Sequence, residues 1–266
     1  MSTAATVAPD HALAVTDATV RRGDKHLIHD VSLAVSTGSH WAVLGPNGAG
    51  KSTILKLAGA RLYPTDGTVE ILGETLGRTD TRELQKRIGY VDPKQRLDDI
   101  SCTEAVLSGV SASNGYLRRF DYTDAHRQRA DEVIALVGMS GRTDRQWSQM
   151  SQGEKARTLI ARALVTDPDM LLLDEPSTGL DLPGRETLLR VIDEMRAQLP
   201  QLTTVLITHH VEEVAASTTD VLMVKDGTVL AAGPVAETMN SANLSELYDI
   251  EVTLNRLAGR WFAVSG

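Results

Sequence analysis

Four short apolar runs punctuate the chain: WAVL (41–44), MLLL (170–173), TVLI (204–207) and VLMV (221–224). Each is too short for a helix, so each predicts a strand buried on both faces. Elsewhere the apolar positions recur at helical spacing. Leu188, Ile192, Met195 and Leu199 predict a covering helix over about 183–199, and DAHRQRADEVIALVGM predicts another, closed by Gly138. Short strands alternating with amphipathic helices point to an α/β protein with a mainly parallel sheet covered on both faces. Two stretches depart from that alternation. LAVTDATV and IHDVSLAV, near the start, alternate apolar and polar residues as an antiparallel edge sheet does. The stretch from about 95 to 150 is polar, helical and poor in strands, which predicts a helical subdomain inserted between two halves of the sheet core. Beyond about 227 follow a hairpin-like DGTVLAAG, a short helical NLSELY and a strand-like GRWFAV.

These patterns predict a short disordered tail (1–12) and one domain (13–266). Within the domain, 13–94 and 155–240 form the sheet core, 95–154 the helical subdomain and 241–266 a C-terminal extension. A chain of 266 residues has room for such a core with one insertion. The opening MSTAATVAPDHA lacks the basic and then apolar regions of a secretory signal, and no apolar run is long enough to span a bilayer. The net charge of −8 argues against a broad nucleic-acid surface. Cys102 is the only cysteine, which rules out an intrachain disulfide and fits a reducing cytosol.

Chemistry concentrates at a few points. GPNGAGKST (45–53) follows the WAVL strand and precedes a helical ILKLAGA, matching G-x-x-x-x-G-K-[ST] in its required context. Gly45, Gly48 and Gly50 let backbone amides curl around phosphates, Pro46, Asn47 and Ala49 complete the nucleotide-binding loop, and Thr53 closes the motif. Lys51 reaches the β- and γ-phosphates, and the Ser52 hydroxyl is a magnesium ligand. The site therefore predicts a nucleoside triphosphate. MLLLDEPSTGLD (170–181) ends an apolar strand in Asp174, which brings a carboxylate to the same sheet edge to hold magnesium; Glu175 is next to it to polarise an attacking water. THH (208–210) ends a further strand, where His209 can touch a γ-phosphate. A metal site made of His209, His210, Glu212 and Glu213 is disfavoured, because cysteines and further clustered histidines are lacking. His11, His26, His29, His40 and His126 are expected to be exposed or capping. Finally, Ser151 and Glu154 have the spacing of a capping box before an apolar-periodic run, and an exposed helix start attracts anions.

The loop at 45–53, SQGE (151–154), LLLDEP (171–176), STGLD (177–181) and TH (208–209), in that order, resemble the ATP-binding-cassette (ABC) ATPases over roughly residues 13–240. MSQGE is similar to the family's Leu-Ser-Gly-Gly-Gln signature, with Met150 for leucine, Gln152 for the first glycine and Glu154 for glutamine. The resemblance implies a P-loop core with an antiparallel β subdomain and an inserted helical subdomain. It also implies that two cassettes pack head to tail around ATP and Mg2+. Ser151, Gly153 and Glu154 of one chain would then meet the nucleotide held by Lys51 of the other, and Asp181 would communicate across the interface. Lys51, Glu175 and His209 would carry catalysis.

Two departures stand out. Where the family has an aromatic residue that stacks on adenine, VRRGD has Arg22, whose guanidinium can stack on a base or can belong to a solvated basic turn. Where the family has a glutamine after Gly-Tyr-Val-x, IGYVDPKQ has Pro93. Either the loop is re-routed so that Gln95 contacts the metal, or that contact is missing.

The family's usual role is the energising subunit of a transporter, peripheral on the inner face of the cell membrane and docked on integral membrane subunits. WAV before the phosphate loop, VRRGD and THHVEE are similar to cassettes of bacterial metal or oxyanion importers, an analogy at the level of fold. The alternative is a soluble cassette of a cytosolic assembly complex, such as one aiding iron–sulfur cluster assembly. A nucleic-acid or ribosome role is not expected, because it normally requires two cassettes in one chain or coiled-coil insertions. Tyr116, Leu117, Arg118, Arg119 and Phe120 discriminate between the first two: exposed, they favour a membrane partner, whereas Leu117 and Phe120 are expected to pack the subdomain core.

Overall fold

The computed structural model describes residues 10–266. Most of the expected tail (1–9) lies outside the described residues, while His11 and Ala12, assigned to that tail, begin a strand. In chain order the elements are β1 (His11–Arg22), β2 (Lys25–Ser36), β3 (His40–Leu44), α1 (Lys51–Ala58), β4 (Asp66–Ile71), β5 (Glu74–Thr75), α2 (Thr81–Lys86) and β6 (Ile88–Val91). The middle of the chain holds α3 (Cys102–Leu107), α4 (Asp124–Leu136) and α5 (Gln152–Leu164). Next come β7 (Met170–Asp174), α6 (Leu182–Gln198), β8 (Thr203–Ile207), β9 (Asp220–Lys225) and β10 (Thr228–Pro234). The chain closes with α7 (Val235–Thr238), α8 (Ser241–Tyr248), β11 (Val252–Leu257) and β12 (Arg260–Ser265).

A six-stranded sheet of order β10-β9-β3-β8-β7-β6 forms the centre. Its neighbours are parallel from β9 to β6, and β10 alone runs antiparallel. The four apolar runs are its interior strands, and every residue of β3 and β8 is buried. Alternate residues of β7 face different layers. Leu171 and Leu173 pack with α3, α4, α5 and α6, whereas Met170 and Leu172 pack with α1 and the second sheet. That second sheet, of order β2-β1-β4-β5, is antiparallel, as the alternation near the start predicts.

The helices begin and end where the local signals say. α4 carries a Thr123–His126 capping box, so His126 is a capping residue, and the chain leaves this helix through Gly138 at φ +67. α6 spans nearly the expected range, with Asp181 as its N-cap. The expected subdomain boundary at 154, by contrast, falls inside α5. The apolar stripe of this helix runs on to Leu164 against α3 and α4, so the helical layer extends ten residues past that boundary.

Two further expectations fail. His40 is neither exposed nor capping: it is wholly buried in β3, its Nδ1 against the Thr204 hydroxyl. Pairing of β3 with both β8 and β9 leaves it no route to solvent, and burial pushes its pKa down to about 4. Leu117 and Phe120 do not fill the subdomain core. They are 45% and 38% exposed, because Tyr122 takes the interior position and stacks on Tyr116 with ring centroids 4.7 Å apart.

Candidate active site

The loop between β3 and α1 needs its glycines for space as well as for conformation. A Cβ on Gly45 would lie 2.2 Å from the Val224 carbonyl oxygen, and one on Gly50, at φ +107, 2.7 Å from Ile28 Cγ2. Gly50 is also the N-cap of α1, and no side chain among the described residues caps this helix. The Thr53 amide donates to the Gly50 carbonyl oxygen at 2.9 Å, which leaves those of Lys51 and Ser52 for an external acceptor, and an anion suits them best. Lys51 is buried, and its ammonium donates to the carbonyl oxygens of Gly45 (2.6 Å) and Pro46 (2.9 Å), across the mouth of the loop. Burial pushes the Lys51 pKa down, while the charges of Glu175 and Asp174 oppose that shift.

The Ser52 hydroxyl donates to Asp174 Oδ1 at 3.2 Å, across 122 residues of sequence. Asp174 is the last residue of β7, in register with Ile207 of β8. A hydroxyl and a carboxylate at this spacing, beside a phosphate cradle, are the hard oxygen donors that magnesium takes. Burial pushes the Asp174 carboxyl pKa up; hydrogen bonds from Ser52 and Tyr90 counter it, and the nearby charges of Asp92 and Glu175 add to it. Tyr90 donates its hydroxyl to Asp174 Oδ2 at 3.3 Å, with the Arg61 guanidinium 3.9 Å from its ring centre. Tyr90 and Asp92 are absent from the sequence-based site. Their signal is the register of β6 on β7, Tyr90 opposite Leu172 and Val91 opposite Leu173, which brings the next residues to the edge where Asp174 stands.

Immediately after Asp174 the chain turns through a left-handed residue, Glu175 at φ +50, whose amide donates to the Ile207 carbonyl oxygen at 3.1 Å. Such a conformation is rare for a residue with a Cβ and is held here by the adjoining strand. Glu175 Oε1 lies 3.3 Å from His209 Nδ1. The pair is at ion-pair distance without hydrogen-bond alignment, since Nδ1 has no hydrogen-bond partner among the described residues. His209 follows β8, on a loop tied by Thr208: its amide donates to the Val43 carbonyl oxygen at 3.1 Å, and its hydroxyl donates to the buried Glu213 carboxylate. Glu213 is thus a structural anchor of the loop. A cavity of 170 Å³ lies between residues 175–180 and 209–213. Lys51, Ser52, Asp174, Glu175 and His209, spread over 159 positions of sequence, are linked by these contacts and charges at the carboxyl edge of one parallel sheet, where α/β sheets bind ligands.

Residues 28–178 match the family model described as ABC transporter. The chain belongs to the ABC ATPases. It is an ATP-binding subunit of the transporter type, and hydrolysis of ATP is the activity of that family. The chain is 37% identical to the cobalt import ATP-binding protein CbiO of Rhodobacter capsulatus over 90% of its own length and 86% of that protein. Among solved structures it is similar to cbiO1 from Clostridium perfringens, part of the ABC transporter complex cbiONQ, with a TM-score of 0.77, 26% identity and coverage of 90% and 94% of the two chains. It is also similar to a dimeric post-hydrolysis ATP-binding cassette bound to ADP and phosphate (TM-score 0.70, 25% identity, 84% of this chain and 98% of that one).

The segments peculiar to ABC ATPases behave unevenly. Ser151 is the N-cap of α5, its hydroxyl accepting from the Glu154 amide while Glu154 Oε2 accepts from the Ser151 amide at 2.8 Å. The Glu154 carboxylate, expected to face a second chain's nucleotide, is instead 3% exposed and bound by Arg142 and Arg145 of its own chain. The capping box and two guanidiniums satisfy it internally. Gly153 has room for a side chain: a Cβ there would make only ordinary contacts, 3.7 Å from Gly184 Cα and 4.0 Å from Leu180 Cδ2. Asp181 Oδ1 accepts from the Gly184 amide at 2.9 Å as the cap of α6. Arg21 pairs with Asp66 at 2.7 Å, and Arg22 is exposed at the end of β1. The side-chain amide of Gln95, a candidate metal contact, donates to Asn114 Oδ1 at 3.2 Å.

Proposed function

We propose that this ABC ATPase energises a transporter by hydrolysing Mg-ATP between two copies packed head to tail, on the inner face of the membrane and docked on integral membrane subunits. The observation that carries the reading is the linked set at the sheet edge, Ser52 against Asp174 and Glu175 against His209, beside an uncapped helix start. Residues 45–53 and Lys51 hold and neutralise the phosphates. Ser52 and Asp174 are the residues that would hold magnesium, which supplies positive charge to the phosphate oxygens. Glu175 takes the proton of the attacking water, and His209 contacts the γ-phosphate. A positioned general base of this kind contributes on the order of 10² to 10⁴ in rate.

The start of α5 serves the other copy. Ser151 and Gly153 are at a helix mouth whose Glu154 is already engaged, so the contact offered to a second chain's γ-phosphate comes from the Ser151 hydroxyl and the backbone at Gly153 rather than from Glu154. Asp181, which caps the adjacent α6, couples that surface to the loop carrying Glu175. Arg22 is the guanidinium available to stack on adenine, since Arg21 is engaged with Asp66. Gln95 links its loop to the helical subdomain instead of joining the metal ligands. The exposed Leu117 and Phe120 support a membrane partner over a soluble assembly complex, as do the transporter relatives.

The test is purification of tagged Glu175→Gln chain from its own host in mild detergent with Mg-ATP. An integral membrane protein at stoichiometric ratio is expected. Soluble partners alone, in a preparation that still dimerises with ATP, would overturn the transporter role while keeping the ATPase.

A further inference from the structure

The C-terminal extension has no part in the reading so far, yet it is fastened to the loop that carries His209. Tyr248, the last residue of α8, donates its hydroxyl to the His209 carbonyl oxygen at 3.3 Å. Burial pushes the Tyr248 pKa up to about 12, with the Glu212 charge adding, so the hydroxyl remains a donor at neutral pH. Arg260, the first residue of β12, donates to the Glu212 carbonyl oxygen at 2.6 Å and to Glu186 Oε2 at 2.8 Å. One guanidinium therefore ties the backbone just after His209 to α6. The fastening is also apolar: Val211, which opens a single helical turn (Val211–Glu213), and Val214, which follows it, share a cluster with Leu244 and Leu247 of α8 and Val252 of β11, and Trp261 packs against it.

Apart from the Glu175 carboxylate, 3.3 Å from Nδ1 and out of hydrogen-bond alignment, the His209 ring has little else to aim it. Its Nδ1 lacks a hydrogen bond among the described residues, and its ring leans on His210 with centroids 4.1 Å apart. Its direction is therefore inherited from the backbone of 208–213. That backbone is held from within the sheet core by Thr208 and Glu213, and from outside by Tyr248 and Arg260.

We propose that Tyr248 and Arg260 are positioning residues, through which the C-terminal extension clamps the 209–213 backbone and so aims His209 at the γ-phosphate. This rests on the reading of His209 as a γ-phosphate contact. Because residues 45–53 hold the nucleotide without help from the extension, loosening the clamp lowers turnover and leaves ATP affinity in place.

The experiment uses the full chain and compares Tyr248→Phe, Arg260→Ala and Arg260→Lys with the parent and with His209→Ala, each also combined with His209→Ala. Steady-state kcat and KM for ATP are measured together with hydrogen exchange over 208–213. Loss of one hydrogen bond predicts a kcat roughly three- to tenfold lower in Tyr248→Phe, with KM unchanged and faster exchange at 209–213. Arg260→Ala should lose as much or more, with part recovered in Arg260→Lys. On the His209→Ala background the same substitutions should cost nothing further, since they act through that ring. A Tyr248→Phe loss equal on both backgrounds would overturn the clamp, as would unaltered kcat and exchange. If His209→Ala itself turns over at the parental rate, the His209 assignment fails, and the clamp fails with it by a separate readout.

Discussion

Two helix starts in this chain share a reading in the sequence and part company in three dimensions. α1 begins at Gly50, with no side-chain cap and with Lys51 drawn across its mouth. α5 begins at Ser151 with a closed capping box, and the box's glutamate is buried beneath Arg142 and Arg145. Both are helix N-termini that favour negative charge. One keeps its amides open and surrounds them with glycines, a cation and a magnesium-type ligand pair; it is built to hold a polyphosphate. The other has spent part of its capacity on its own glutamate, and what it presents is a hydroxyl and a glycine surface. An uncapped helix start leaves amides to water or to a ligand, whereas a capped one has part of that capacity met by its own chain.

That contrast can be broken most sharply at Lys51. Lys51→Ala should weaken ATP binding roughly a hundredfold or more, read by calorimetric titration, because it removes a charge-assisted contact from a desolvated site; unchanged affinity would sink the phosphate-loop assignment. Next in size, Glu175→Gln should lower hydrolysis on the order of a hundredfold, keep ATP affinity and give an ATP-dependent dimer on gel filtration. Adding Gly153→Asp to that variant sharpens the test. A side chain there meets only ordinary contacts within its own chain, so the fold should persist. The dimer should be lost while each chain keeps its ATP affinity, and a dimer that survives would refute the role of the α5 mouth in a second chain's site.

A smaller effect separates the two helices by stability. Ser151→Ala removes a cap and should cost about 1 kcal/mol in urea unfolding. Ser52→Ala, on a helix with no side-chain cap to lose, gives up only the 3.2 Å bond to Asp174 at an exposed hydroxyl and should cost less, about 0.5 kcal/mol. Equal losses would mean that the two starts are not built differently.

A comparably modest effect comes from His40, at the far end of β3 from the phosphate loop. The folded chain keeps this ring neutral down to about pH 4, whereas the unfolded chain protonates it near its ordinary value of 6.5. The stability it contributes is therefore full above about pH 6.5 and is lost progressively as pH falls toward 4, about 1 kcal/mol between pH 7 and 5.5. His40→Asn should flatten that part of the urea-unfolding profile, and a profile as steep as the parent's would assign the slope to other groups.

What could be read from the chain and what could not divides along sequence distance. The strands of the central sheet, the glycine loop, α6 with its Asp181 cap and the Ser151–Glu154 box are all set by residues within about one helical turn or one strand of each other. Local periodicity and capping are short-range terms, so short segments express them. His40 illustrates the limit. A histidine before WAVL carries no local mark of burial, and it is buried only because β8 and β9 flank β3 on both sides. Leu117 and Phe120 are the opposite case: apolar residues left at the surface because Tyr122 reached the interior first.

By itself, then, the sequence determined an α/β core, a phosphate loop followed by a helix, and an acidic pair at the end of a buried strand. Each is a matter of neighbours in the chain. Only the tertiary structure decided that Tyr90 leans on Asp174 across 84 positions, that Gln95 turns to Asn114, that Arg142 and Arg145 bury Glu154, and that Tyr248 and Arg260 reach back to the loop of His209. Those contacts depend on strand order and on which layer covers which face. Both are fixed by burial summed over the whole domain, and no short window of sequence contains that sum.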